Sequence, residues 1–577
     1  MTVFEKSEAI ILANNLLENN DIKLAKFLSK EFAGYPIMIV QGAQLLNNVQ
    51  GLGKKEYKEK IHQSTDKIKL NITLVINELK PSAKKLLNRI ALINNQGFSK
   101  ELLKIITDNQ NTLDDDLYQL SKFALISNIE LHEINPIFEM HDVIAQKISE
   151  SASNNKAYLE DIITKLVGYV PKSVIKSRIF RSAKTMEENF EIILRNSKKY
   201  NLSIYKLMQL NSQLATQYNN SLNYYKLEKN IQWFNKINQQ GKFKLWLMSN
   251  DEKYTYLKYM QKIGAYYANY LNYRMAIKYF IKAKEIFYNS NVKGYEVSKW
   301  TLFYNIMISN LALGQVQEAE KDIQIIEQMF NEGLIDKSDL GCIHHGKSRL
   351  FLVQGKYTES LEQNNKAIET FIKSGLDTDD LILMYTYIAK ALILNYLKEY
   401  PKAYAQLKQV YNLFKTYKIQ SLEILGTIYA EMARSELGLN KLDQTSYHVK
   451  QAISIFLTDE RRNPKDADYS EDIGLALSYV IQGNILFAQD KIKEAIESYN
   501  KAYSIYYYVY RDNRKNVAQV SELYSQGAKA SCKARNLFSY KFFGKSQVKE
   551  FGINHPNTVS MFKYCKKYNM GLWAEEQ

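Results

Sequence analysis

The sequence predicts an all-α fold: a solenoid of helical hairpins, preceded by a helical subdomain and a small module that carries a β-hairpin. Three observations predict it. Proline is scarce, with 7 in 577 residues, and between Pro171 and Pro464 only Pro401 intervenes. Proline removes a backbone donor and clashes with the preceding turn, so a long stretch almost without it reads as helix. A pattern of small and large residues recurs at fixed spacing in the second half of the chain. Hydrophobic residues make up 46% against 24% charged, which excludes wholesale disorder. At ~150 residues per domain the length corresponds to about four units.

From the N-terminus, residues 1–79 show helical periodicity broken at Phe32-Ala33-Gly34-Tyr35-Pro36. Residues 80–150 read as three short helices, at 86–93, 100–108 and 114–123, the last after a Thr112 cap. A hairpin of 124–129 with 137–140 follows, around a turn at 130–135. Three helices and a hairpin describe a winged helix. Residues 151–250 read as a helical connector with no clear period, and 251–577 as the repeat array.

The clearest repeat covers 257–290, with Leu257, Met260, Ile263, Gly264 and Tyr267 in its first half and Ala276, Phe280 and Ala283 in its second. A second copy starts at Ala476 and places Tyr479, Gly483, Leu486, Ala495, Tyr499 and Ala502 at matching offsets. These positions resemble the tetratricopeptide repeat (TPR), a helix–turn–helix unit of ~34 residues. Small residues (Gly264, Ala276, Ala283; Gly483, Ala495, Ala502) belong where two helices approach closely, and large ones (Tyr267, Phe280, Tyr499) fill the gaps between them. Weaker copies centre on Ala319, on Ser360 with Ala367, on Ala391 with Ala403 and Leu407, and on Ala433 with Val449 and Ala452. That makes about six repeats, with a degenerate unit expected after them. Pro401 falls near the start of a second helix, where proline is tolerated. Phe551-Gly552-Ile553-Asn554-His555-Pro556 resembles the link in longer, kinesin-light-chain-like TPR units.

Two motifs in the first 150 residues resemble the back half of an NB-ARC-type STAND nucleotide switch. Gly34-Tyr35-Pro36-Ile37 looks like the Gly-Leu-Pro-Leu element of that family's small helical subdomain. Met140-His141-Asp142 looks like the Met-His-Asp element that closes its winged helix. The resemblance implies that Gly34 and Pro36 border the adenine of a bound nucleotide and that His141 reaches the β-phosphate of ADP. Imidazole can donate to a phosphate oxygen. The phosphate loop G-x-x-x-x-G-K-[ST] is missing. Gly51-Leu52-Gly53-Lys54-Lys55 lacks the earlier glycine and has Lys55 where a hydroxyl belongs. The expectation is therefore a chain that carries the C-terminal part of the switch and needs no cofactor alone. ADP or ATP would enter only with a separately encoded P-loop NTPase half.

Other chemistry is sparse. Cys342, Cys532 and Cys565 are odd in number and far apart, so the sequence suggests no disulfide framework and a reducing, cytoplasmic setting. No run of ~18 apolar residues marks a membrane span. The N-terminus carries Glu5, Lys6 and Glu8 before its apolar stretch, unlike a signal peptide. The histidines, His62, His132, His141, His344, His345, His448 and His555, form no metal motif. Cys342 with His344 and His345 reads as a packing helix rather than a nucleophile pair, because such neighbours do not converge. Asp114, Asp115 and Asp116 read as a helix first turn serving its free amides. They also argue against DNA reading by that helix, since carboxylates repel phosphate.

The formal net charge is +16. Lys529, Lys533, Arg535, Lys541, Lys545 and Lys549 interleave with Phe538, Tyr540, Phe542 and Phe543, which admits a nucleic-acid regulator as an alternative. The favoured expectation is a non-enzymatic interaction protein. A partner peptide or helix would lie on the concave surface of the TPR superhelix, with nucleic acid and membrane disfavoured as partners.

Overall fold

The computed structural model describes the chain except for residues 1–2, 19, 50–51, 131–135, 170–185, 221–222, 242, 244, 270–271, 290–295, 378–379, 417–421, 459–471, 569 and 571–577. Helix dominates, with one small sheet among the described residues. The chain divides into two compact units, Met1–Val170 with Phe180–Gln217, and Pro171–Ile179 with Tyr218–Gln577.

The first unit starts with α1 (Lys6–Leu16), α2 (Ile22–Glu31), α3 (Pro36–Asn48), α4 (Lys54–Gln63) and α5 (Lys67–Glu78). Local chemistry starts them. The Asp21 and Asp66 carboxylates accept from Leu24 N at 3.0 Å and Lys69 N at 2.9 Å, and Pro36 supplies the first residue of α3. Then follow α6 (Pro81–Ile90), β1 (Phe98–Ser99), α7 (Lys100–Ile106), α8 (Leu113–Lys122), β2 (Ser127–Glu130), β3 (Ile137–Glu139), α9 (Asp142–Ser151) and α10 (Asn155–Tyr169). The sheet order is β1-β3-β2, antiparallel throughout, with Phe98 opposite Phe138 and Ser127 opposite Glu139. The expected hairpin is present with its first strand shifted toward the turn, and the turn and His132 lie outside the described residues. Strand β1 has only two residues, too few to carry a periodic signal.

Arg89 ties this region together. Its buried guanidinium bonds Asp108 and Asp161, both at 2.7 Å, and Lys165 reaches the same two carboxylates. The Arg89 bond and then Lys165, acting against burial, hold the Asp108 carboxyl down at about 2.

In the second unit, among the described residues, the helices from Asn250 onward pair as seven hairpins: Asn250–Asn269 with Tyr273–Asn289, Glu296–Ala312 with Val316–Asn331, Leu340–Val353 with Tyr357–Lys373, Leu381–Tyr396 with Tyr400–Thr416, Leu422–Gly438 with Leu442–Thr458, Ile473–Ala488 with Ile492–Tyr510, and Ala518–Lys533 with Leu537–Phe551. Pro556–Cys565 follows as a lone helix capped by His555, whose Nδ1 accepts from Asn557 N at 3.2 Å. The continuous apolar core spans the later hairpins from Ala430 to Cys565 and takes in Leu313 of the second.

One expectation is corrected here. Cys532 and Cys565 form a disulfide, with Cα atoms 5.4 Å apart. Their separation of 33 residues is one repeat length, so successive first helices bring them side by side. Distance along the sequence is no measure of distance in a solenoid, and the argument for a reducing compartment lapses. Cys342 is buried and takes no part in this disulfide.

Candidate functional site

The repeat positions read from the sequence meet one another. Gly264 lies under the ring of Phe280: a Cβ at Gly264 would stand 2.5 Å from it. Gly483 under Tyr499 repeats the arrangement at 2.5 Å, and Gly527 under Phe543 at 2.9 Å. Ala276, Ala283, Ala495 and Ala502 are fully buried at the remaining small positions. Tyr267 stacks on Tyr279 with ring centroids 5.4 Å apart. The same small-under-aromatic contact appears at Gly341 with Phe371 and Gly426 with Phe456, where the register differs. In the weak repeats polar pairs also join the two helices. Ser348 and Ser360 exchange hydrogen bonds with each other's carbonyls, Asn310 donates to Asp322 at 3.3 Å, and His448 Nδ1 lies 2.8 Å from buried Glu436.

The nucleotide residues implied by resemblance occupy two separate places. Gly34 joins α2 to α3 with φ +74, and a Cβ there would strike the Phe4 carbonyl oxygen at 2.4 Å. Phe4 N donates to Gly34 O at 3.0 Å, so the glycine is accounted for by the backbone alone. Pro36 is half-buried at the first turn of α3. His141 caps α9, its Nδ1 accepting from Val143 N at 3.3 Å. In the neutral ring the proton therefore sits on Nε2. Asp142 is held by Asn95 at 2.5 Å and Gln96 at 2.9 Å, and these two bonds lower its pKa.

His345 is buried against the Tyr304 hydroxyl at 2.7 Å, and His344 is half-buried against Gln363 at 2.8 Å. Burial, with Arg349 nearby, pushes His345 down to about 3. The three aspartates do not act as a set of caps. Asp116 is buried and accepts from Ser82 and Thr112, while Asp114 and Asp115 pair with Lys100 and Lys80. Of the aromatics in the basic stretch, Tyr540 and Phe543 are core and Phe542 packs on Tyr503; Phe538 alone stands out, 84% exposed. Lys533 pairs with Asp490, and Lys529 bonds Ser560.

Sequence reasoning passed over two largely buried charges of the array. Glu431 and Arg434 sit on the first helix of the fifth hairpin. The Arg434 guanidinium lies 4.5 Å over the Tyr396 ring, which stacks on Tyr357 at 4.7 Å. Glu431 accepts from Asn395 at 2.9 Å, and burial raises its pKa. Burial opposes the Arg434 charge, but Tyr396, Glu522 and Glu431 together lift its pKa well above the ordinary value. In sequence they are ordinary charged residues of a helical repeat, and only their position next to Ala433 hinted at burial.

No family model and no curated protein matches the chain. Among solved structures, a STAND protein with a tetratricopeptide repeat sensor from Pyrococcus horikoshii is similar over 98% of this chain and 75% of its own, at 14% identity and a TM-score of 0.40. A Rap protein complexed with competence and sporulation factor is similar over 64% of this chain and 96% of its own, at 12% identity and a TM-score of 0.46. NprR in complex with its cognate peptide NprX is similar over 68% and 98%, at 14% identity and 0.45. Each is a distant likeness of chain trace.

Proposed function

We propose that the chain is a non-enzymatic interaction protein whose TPR-type array binds a peptide or helix on its first helices. The recurrence of a glycine under an aromatic ring in the first, sixth and seventh hairpins carries this reading, because it identifies stacked repeats of one type. Such stacks present successive first helices as one extended surface. Panning a random peptide library on the immobilised full chain tests it. Hydrogen exchange with an enriched peptide should show protection on the first helices of the array. Protection confined to residues outside 251–577 would sink the reading.

The first 150 residues are proposed as the C-terminal part of a STAND-type switch. The order helix, strand, helix, helix, strand, strand with sheet order β1-β3-β2 supports a winged helix. The Nε2 proton of His141 supports a phosphate contact, and Pro36 offers a rigid apolar face. His555 caps its helix in the same manner with no such motif around it, so capping alone does not mark a nucleotide site. Calorimetry of the full chain with ADP should show no tight binding until a P-loop NTPase half is added, and His141→Ala should then weaken it. The nucleic-acid alternative loses ground because most of the aromatics it needs are packed in the core.

A further inference from the structure

The last helix of the array, Pro556–Cys565, packs on the first helix of the seventh hairpin, Ala518–Lys533. It has ten residues. A helix of that length is marginal on its own in water, so its order comes from what it packs against. It buries one narrow stripe: Thr558, Met561 and Cys565, at helical intervals of three and four. One of these three side chains is therefore half of the disulfide to Cys532.

The two ends of this helix are held differently. At its start the Gln547 amide donates to the Thr558 hydroxyl at 2.9 Å, the Ser525 hydroxyl to the Asn557 carbonyl at 3.0 Å, and the Lys529 ammonium to the Ser560 hydroxyl at 2.9 Å. The His555 ring lies 3.3 Å from the Ser521 hydroxyl. Beyond Ser560, among the described residues, no further side-chain nitrogen or oxygen of the helix bonds to the seventh hairpin. Contact there rests on the disulfide, on Met561, and on the partly buried rings of Phe562 and Tyr564. The Tyr564 ring lies 6.0 Å from Phe487 of the sixth hairpin. Exposed Lys566 and Lys567 follow in a single short turn. While the bond to Cys532 is intact, this end cannot lift away.

We propose that Cys532 and Cys565 form a redox latch on the end of the array. Oxidised, it holds the last helix down. Reduced, it lets the C-terminal turn of that helix lift about its polar start and uncover the Cys532 face of the seventh hairpin and the Phe487 ring. This does not depend on the peptide-binding reading above. A dithiol opens the latch by exchange: one of its thiolates displaces a protein sulfur to give a mixed disulfide, and its second thiolate releases the other. The Cys532–Cys565 bond breaks, both cysteines end as thiols carrying the two protons of the dithiol, and the dithiol is oxidised to its own disulfide. Both sulfurs are fully buried, so the exchange waits on fraying of the helix end.

The test compares the full chain oxidised and after dithiothreitol, with alkylation and mass spectrometry showing which cysteines have become thiols. Reduction is expected to speed amide exchange about tenfold or more over 561–568, with a smaller change over 556–560 and none in the first five hairpins. Oxidised glutathione should restore slow exchange. Cys565→Ser should exchange at the fast rate with or without the dithiol; if it fails to fold, the reduced unaltered chain decides. Unchanged exchange in a chain shown to be reduced makes the bond a passive staple and overturns the latch. Acceleration spread over the whole array also overturns it, because that marks loss of the fold rather than release of one end. A pair that remains as thiols under oxidised glutathione overturns it as well.

Discussion

The two units are stabilised by different kinds of contact. In the repeat array one device recurs: a small residue on a first helix admits an aromatic ring from the second, at Gly264, Gly483 and Gly527 alike. In the first unit each junction has its own solution. Arg89 bridges two carboxylates, Gly34 turns beneath a carbonyl, and Asn189 holds Asn94 N at 3.0 Å and the Gly97 carbonyl at 3.0 Å. A repeated device is visible to anyone who looks for a period. A unique one is visible only once its partners are known.

The comparison can be tested most severely at the rings. Tyr499→Ala removes a fully buried aromatic and should cost about 3–5 kcal/mol in chemical denaturation. Phe280→Ala and Phe543→Ala should cost similar amounts if the three hairpins are equivalent; a spread of several kcal/mol would break that equivalence.

Acid should separate the units. His345 is held neutral in the folded array down to about 3, while the unfolded chain takes up its proton near 6.5. The unfolded state therefore gains protons at this site as pH falls, and the His345 contribution to the array falls from pH 6.5 downward by about 1.4 kcal/mol per unit, while Asp322, which burial raises to about 6, offsets part of that loss below pH 6. Asp108 acts with the same sign in a lower window: its lowered pKa stabilises the first unit above 3.8, and that contribution fades only as pH falls from 3.8 to about 2. Hydrogen exchange across an acid series should show the helix of His345 opening before the Arg89–Asp108 junction of the first unit. His345→Gln should flatten its slope.

A smaller effect is expected at Gly34. Gly34→Ala should cost about 1–2 kcal/mol, since the backbone is left-handed and the obstacle is a carbonyl oxygen. The loss should appear as faster exchange in α2 and α3 and leave the array unchanged. The smallest belongs to the exposed pair Lys366–Glu362, one turn apart at 2.6 Å, whose loss in Lys366→Ala should leave the denaturation midpoint unchanged within measurement error.

How much was legible follows from these contrasts. The second hairpin strand, the α7 and α8 helices and most repeat positions were readable because helices and strands impose short periods on apolar residues, while α6 starts at Pro81, ahead of the 86–93 expected. Strand β1 was missed for want of length. The aspartate run does occupy the first turn of α8 as read, but Asp115 and Asp114 also meet Lys80 and Lys100, and Asp116 the Ser82 and Thr112 hydroxyls, partners no local pattern shows. For the candidate site, Gly34, Pro36 and His141 were found as motifs, and the structure adds the bond that sets the tautomer of His141.

By itself the sequence determined an all-α solenoid and the spacing of its hairpins, because close helix packing demands small residues at regular intervals. Only the tertiary structure decided which distant residues meet. It paired Cys532 with Cys565, set Arg434 between Glu431 and Glu522, and laid residues 508–522 against hairpins far back along the chain. Those contacts depend on how repeat after repeat is rotated in space. Each small rotation leaves no mark on the local period, and their sum determines which surfaces come together.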